Sequence, residues 1–199
     1  MEDFGLNLPN KLTVLRLIAI PFFLLLLVLP LDWGTISFAG SVVPVSQFVA
    51  AILFLAAVIT DNLDGIIARK YHLVTNFGKF TDPLADKLLV MTAFIMLTSM
   101  DVVPAWVTVV IIWRELAVTG LRLLIVESNG EVLAAKMPGK IKTVSQFIAI
   151  LFLLLNNMGF ALINVPFGEI MLYICLFFTV YSGIDYFVKG RSVFSDGLK

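Results

Sequence analysis

Histidine and cysteine are almost missing from this chain, and charge is scarce. Of its 199 residues one is a histidine, His72, one is a cysteine, Cys175, and 14% are charged. A single cysteine rules out an internal disulfide, and Cys175 sits inside an apolar run where packing is its simplest role. Lys plus Arg balances Asp plus Glu at 14 each, so the formal net charge is zero and no basic surplus points to nucleic acid. Soluble domains carry about 25% charged and roughly 45–50% apolar residues, whereas this chain is 60% hydrophobic. That excess is too large for a water-soluble domain of this length, which must cover its core with polar surface. An integral membrane protein is the class that remains, and the length suits one domain over 1–199.

What is present in abundance is long hydrophobic runs. A membrane helix needs about 20 apolar residues, and six stretches qualify: 12–30, 44–64, 83–100, 103–126, 142–161 and 167–188. The start, MEDFGLNLPNKLTVLR, is acidic and lacks a small-residue cleavage site, so the first run reads as a retained helix. The residues before Pro9 suit a short interfacial segment. No internal repeat, low-complexity tract or separate soluble domain is visible.

The connections alternate in charge. LDWGTISFAGSVVP, Ser99–Pro104 and NNMGFALINVPFG contain no Lys or Arg. Lys11, Arg16, Arg69, Lys70, Lys79, Lys87, Arg114, Arg122, Lys136, Lys140, Lys142, Lys189, Arg191 and Lys199 all fall at the other ends of the six spans. The positive-inside rule makes that side the cytoplasm, with both termini there. The fold class expected is therefore an all-α membrane protein of six transmembrane helices.

Acidic residues concentrate where span two meets span three. Asp61 and Asp64 are three apart, Asp82 and Asp86 four apart, so on helices each pair shares a face. A tight connection brings the four carboxylates together at the cytoplasmic end of a bundle. Repulsion and desolvation would protonate such a cluster unless cations neutralise it. Mg²⁺ or Mn²⁺, hard ions that favour oxygen ligands, suit it, and the absence of companion Cys or His argues against zinc or copper. The same acids could instead be interfacial partners of Arg69, Lys70, Lys79 and Lys87. Pro83 favours a first helical position, which would make Asp82 an N-cap rather than a ligand.

The intervening residues separate these readings. The segment runs Asp61-x-x-Asp64-Gly65-x-x-Ala68-Arg69, then eight residues, then Gly78-x-x-x-Asp82-x-x-x-Asp86. This pattern resembles the signature of the CDP-alcohol phosphotransferase family at every fixed position. Its residue chemistry agrees: Gly65 and Ala68 leave room for a nucleotide to approach the helix backbone. Arg69 can grip a pyrophosphate with two hydrogen bonds, and Gly78 allows a turn between spans. The resemblance implies six transmembrane helices, a homodimer, and a polar cavity open to the cytoplasmic face of the plasma membrane. It implies that Asp61, Asp64, Asp82 and Asp86 hold one or two Mg²⁺ or Mn²⁺ ions, and that Asp86 is also the catalytic base. Gly65, Ala68, Arg69, Thr75 and Gly78 would bind CDP-diacylglycerol, joined by Asn10 and Thr13 at the start of span one. Asn10, Thr13 and Arg16 share a helix face by spacing; helix capping by Asn10 and basic anchoring by Arg16 are the alternative uses.

Two further stretches bear on the acceptor alcohol. LPNKLTVLRLIAIPFF, and WRELAVTGLR with the later AAKMPGKIKT, resemble the branch of that family that takes glycerol 3-phosphate. Arg114 and Glu115 interrupt an apolar span, an expensive placement that needs a partner or a purpose. Arg114, Val118 and Arg122 recur at helical spacing, so both guanidinium groups lie along one stripe. With Lys136 and Lys140 they form a candidate site for the acceptor's phosphate, since guanidinium groups match phosphate oxygens; Lys142 follows in the same stretch. A cationic alcohol such as choline would instead want acidic or aromatic groups. Inositol phosphate would suit the same stripe, so charge alone does not separate the two. Asp185, near the end of span six, reads as a counter-charge for the stripe. A cation transporter is the alternative outside the family, but its polar residues would be spread through the membrane rather than crowded to one side. A lone histidine also excludes the phospholipase D-type route to such lipids, which uses two.

Overall fold

Six long helices carry the chain: α1 (Leu8–Val28), α2 (Val45–Lys70), α3 (Asn76–Ser99), α4 (Ala105–Glu127), α5 (Met137–Leu154) and α6 (Phe167–Lys189). This computed structural model describes residues 8–71, 76–127 and 137–189; side chains at 8–9, 62, 64–70, 76–80, 82–83 and 126–127 lie outside the description. Each helix falls on one of the six apolar stretches, but the boundaries differ where polar sequence stays helical. α2 continues beyond residue 64 through the whole Asp61–Arg69 stretch, and α3 begins seven residues before Pro83. Gly78 and Asp82 are thus helical, which sets aside the turn at Gly78 and the N-cap at Asp82. α5 starts at Met137 and stops at Leu154 rather than running 142–161. Asn156 and Asn157 both take left-handed conformations there, φ 50° and 55°, and these end the helix.

Among the described residues, length and composition qualify three helices to cross a membrane: Asn10–Val28, Met137–Leu154 and Phe167–Lys189, with Val45–Asp61 as a shorter apolar piece. α4 spends its apolar character differently. Trp106, Val109, Trp113, Leu116 and Leu123 are exposed along one side, while Val118 and Leu121 are buried on the other. α6 repeats the arrangement, with Ile170, Tyr173, Phe177 and Ile184 outward and Leu172, Cys175 and Thr179 inward. An apolar outer surface with polar groups inside is what a bilayer selects.

The core is built around α2, α3 and α5. Phe23, Phe54 and Phe147 pack in series with ring centroids 6.2 Å apart at each step. Ala50, Ala51, Ala93 and Ala149, all buried, let the helices approach closely. α3 and α4 form an antiparallel pair across a tight connection, tied by a 2.6 Å hydrogen bond between the Thr98 and Thr108 hydroxyls.

The structure adds an element that the all-α reading lacks. The α1–α2 connection is a hairpin of β1 (Thr35–Phe38) and β2 (Ser41–Pro44), paired antiparallel. Ala39 and Gly40 turn it with φ of 49° and 82°, the consecutive left-handed residues that a two-residue hairpin needs. The hairpin docks on the α5–α6 connection. Ser41 Oγ donates to the Asn156 carbonyl at 2.7 Å, Asn156 Nδ2 donates to the Val42 carbonyl at 2.8 Å, and the Gly159 amide donates to the Ala39 carbonyl at 3.0 Å. At that connection Phe160 and Phe167 stack, and Phe152 meets both edge-to-face. Two of the connections free of Lys and Arg therefore meet at one end of the bundle.

Candidate active site

At the other end, four helices enclose a polar cavity of about 190 Å³. α3 contributes Asp86, Lys87 and Val90; α4 contributes Arg114, Glu115, Val118, Thr119 and Arg122. α5 adds Gly139, Lys142, Thr143 and Gln146 at helical spacing, and α6 adds Tyr186. Arg114, Val118 and Arg122 thus line one wall as their spacing predicts.

Arg114, Arg122 and Lys142 are each held by a neighbour. Arg114 Nη1 donates to Glu115 Oε1 at 3.0 Å and Nη2 to Ser182 Oγ at 2.8 Å. Lys142, itself buried, pairs with the same Glu115 oxygen, so one carboxylate bridges α4 and α5. Arg122 Nη2 donates to the Tyr186 hydroxyl at 2.6 Å, and its guanidinium lies 5.1 Å from the centre of that ring. Gly183 leaves room for the Arg114 side chain, since a Cβ there would make a tight 3.2 Å contact with Arg114 Cγ. Three buried donors of the cavity lining have no partner among the described residues: Arg114 Nε, Arg122 Nε and Gln146 Nε2. Unmet donors in a polar cavity call for a ligand rich in oxygen. Lys87, Arg114, Arg122 and Lys142 outnumber Asp86 and Glu115 by two charges among the described lining residues. A phosphate monoester carries about −1.5 to −2 at neutral pH, so the surplus suits one.

Asp61 is joined to this region through α1. Asn10, Thr13 and Arg16 are all buried on one face of α1, and Arg16 Nη1 donates to Asp61 Oδ1 at 2.7 Å. Asn10 lies inside the helix rather than at its cap, and Arg16 is buried rather than an interfacial anchor. The charge of Arg16 also reaches Asp86, as do those of Lys142, Glu115 and Lys87. Asp64, Gly65, Ala68 and Arg69 belong to the same helix as Asp61, and Gly78 and Asp82 to the same helix as Asp86. Their side chains, and Thr75 and Lys136 entirely, lie outside the described residues. Lys140 is placed elsewhere: it borders an apolar groove with Ile141, Val144, Met171 and Ile174. Asp185 pairs with Lys189 on its own helix, so the counter-charge of the arginine stripe is Glu115.

Residues 6–181 match the family described as CDP-alcohol phosphatidyltransferase. The chain belongs to that family. Among its relatives, the protein named CDP-diacylglycerol–glycerol-3-phosphate 3-phosphatidyltransferase of Bacillus subtilis (strain 168) is 52% identical over 183 residues, 92% of this chain and 94% of the relative. The protein of that name from Rickettsia typhi is 38% identical over 94% of this chain and 99% of its own length. A probable phosphatidylglycerophosphate synthase of Mycobacterium tuberculosis (strain H37Rv) is 39% identical over 92% of this chain and 81% of its own.

For a CDP-alcohol phosphatidyltransferase the donor chemistry of the site is consistent with a hard divalent ion. Asp61 and Asp86 offer carboxylate oxygens, whereas the Cys175 sulfur lies in the apolar core 3.7 Å from the Thr179 hydroxyl. Sequence reasoning does not single out Tyr186 or Gln146, counts Lys87 among the positive-inside charges, and leaves Lys142 as a continuation of the Lys136–Lys140 stretch. For Lys142 and Gln146 a signal was available: with Gly139 they interrupt the apolar face of α5 at helical spacing.

Proposed function

We propose that this chain transfers the phosphatidyl group from CDP-diacylglycerol to sn-glycerol 3-phosphate, releasing CMP and phosphatidylglycerophosphate. The observation that carries the reading is the cavity in which Asp86 faces Lys87, Arg114, Arg122 and Lys142. It offers a carboxylate able to take a proton beside cations able to hold a phosphate. The names of the relatives agree with it.

In this reading Asp86 accepts the proton of the acceptor's primary hydroxyl, and the freed oxygen attacks the lipid-bearing phosphorus in line as the bond to the CMP oxygen breaks. The cations orient the acceptor by its phosphate, and near-attack placement supplies much of the acceleration. Glu115, Ser182 and Tyr186 keep the arginines and Lys142 in place before the substrate arrives. Arg16 fixes Asp61. Asp61, Asp64, Asp82 and Asp86 would hold one or two Mg²⁺ or Mn²⁺ ions, which when bound neutralise charge gathering on the pyrophosphate oxygens. Asn10, Thr13, Gly65, Ala68, Arg69, Thr75 and Gly78 would receive the CDP moiety, with Arg114, Arg122, Lys136 and Lys140 on the acceptor's phosphate. Of that last set, the two arginines have the support of the cavity.

The membrane arrangement belongs to the same proposal: one domain, six spans, both termini and the cavity cytoplasmic, acting as a homodimer in the plasma membrane. The segregation of Lys and Arg supports the topology. So does the hairpin docked on the α5–α6 connection, because an even number of crossings separates the two. The dimer rests on the family resemblance.

The test is CMP release by purified protein given CDP-diacylglycerol and a panel of acceptors, with Mg²⁺, Mn²⁺ or EDTA. Release with glycerol 3-phosphate, abolished by EDTA, is the expected result. Asp86→Asn should lower kcat at least about 10²-fold, the contribution of a positioned base, while CDP-diacylglycerol still binds. Release with inositol phosphate but not glycerol phosphate would move the chain to another branch of the family. Near-normal activity of Asp86→Asn would remove the base assignment.

A further inference from the structure

The Gln146 side chain is among the most completely buried polar groups in the protein, at 2% exposure, and it lines the polar cavity. Its Nε2 has no hydrogen-bond partner among the described residues. A buried amide left unsatisfied is costly, and such groups are retained where a ligand completes them. Gln146 lies one turn beyond Lys142 on α5, and about 10 Å deeper than Gly139 along the helix axis. It is a neutral donor in a cavity whose other free donors, Arg114 Nε and Arg122 Nε, belong to cations.

This difference in charge assigns a task. The charged donors match the phosphate of the acceptor. Of the remaining oxygens of glycerol 3-phosphate, the primary hydroxyl is consumed in the reaction, which leaves the hydroxyl on the middle carbon. We infer that Gln146 donates its amide N–H to that secondary hydroxyl and is a specificity-determining residue for a vicinal polyol phosphate. The inference rests on the functional reading above and adds to it which part of the acceptor is read, and by which side chain.

The experiment compares two acceptors that share the phosphate and the primary hydroxyl: sn-glycerol 3-phosphate and 3-hydroxypropyl phosphate, which lacks the secondary hydroxyl. CMP release is measured for the full-length wild type, Gln146→Leu and Gln146→Met in detergent with CDP-diacylglycerol. A site built to bond a hydroxyl rejects the analogue lacking it, so the wild type should favour glycerol 3-phosphate by about 10- to 100-fold in kcat/KM. Either variant should bring the two acceptors to within about threefold of each other, by losing glycerol 3-phosphate turnover rather than analogue turnover. The KM for CDP-diacylglycerol should not move. If both acceptors fall by the same factor, Gln146 is a packing residue and the inference fails. The Met variant nearly preserves shape, so it stands in should the Leu variant not fold. A wild type that turns over both acceptors equally overturns the inference without any variant, while leaving the transferase reading intact. A wild type that releases CMP with neither acceptor sinks that reading and this inference together.

Discussion

Glu115 sits between two cationic side chains that would otherwise repel one another. Its carboxylate pairs with Arg114 and with Lys142, and Lys142 is nearly inaccessible. Removing it by Glu115→Leu leaves a buried ammonium without its counter-ion, and should lower stability by about 3–5 kcal/mol. The double change Glu115→Leu with Lys142→Met removes both charges and should recover more than half of that loss, read as thermal unfolding in detergent. It should not recover the KM for the phosphorylated acceptor. Equal stability of the single and double variants would show that an unpaired Lys142 is not the source of the loss. Much of the site at this scale is legible in the sequence. Asp61 and Asp86 stand out because carboxylates at helical spacing near a membrane are costly, and Arg114 and Arg122 for the same reason. Tyr186 and Ser182 do not, because a hydroxyl in an apolar run is cheap enough to occur without a purpose. The partnership of Arg114 with Ser182, across 68 residues, has no local trace at all.

Among the elements, the hairpin shows where reading apolar runs stops. Each helix is anticipated because a long apolar run marks it in the sequence. The hairpin strands are four residues each and lie in sequence that scores only as turn-forming. Gly40 is its critical position. With φ at 82° and the Leu162 backbone nitrogen 2.9 Å from where a Cβ would be, it combines backbone strain with a clash against the α5–α6 connection. Gly40→Ala should therefore destabilise the protein by about 1–3 kcal/mol, lowering its melting temperature while the acceptor KM stays unchanged. A shift in KM would mean that the two ends of the bundle are coupled. The helix ends that polar sequence extends, at Lys70 and Asn76, are hidden for the opposite reason: helix continues where hydrophobicity does not.

For the whole molecule, the fold separates a clasped end, where the hairpin meets the α5–α6 connection, from a charged end that holds the cavity. The sidedness proposed for the membrane can be measured. The native thiol of Cys175 is buried, so an introduced cysteine can be read without removing it. Ser37→Cys, at an exposed hairpin position, should be labelled by an impermeant maleimide from outside intact cells. Met137→Cys, exposed at the start of α5, should be labelled only after the cells are opened. Labelling of both from one side would refute the arrangement. Burial of Arg114 against α6 carries a consequence for how the chain is made. Ser182 is translated 68 residues after Arg114, which at roughly 5–20 residues per second is a wait of about 3–14 s. During that time α4 exists while the helix carrying Ser182 does not, and Arg114 has only the adjacent Glu115 beside it, a charged pair that is unfavourable in lipid. Helices four to six are thus expected to leave the insertion machinery as a group, with the last helix releasing the fourth.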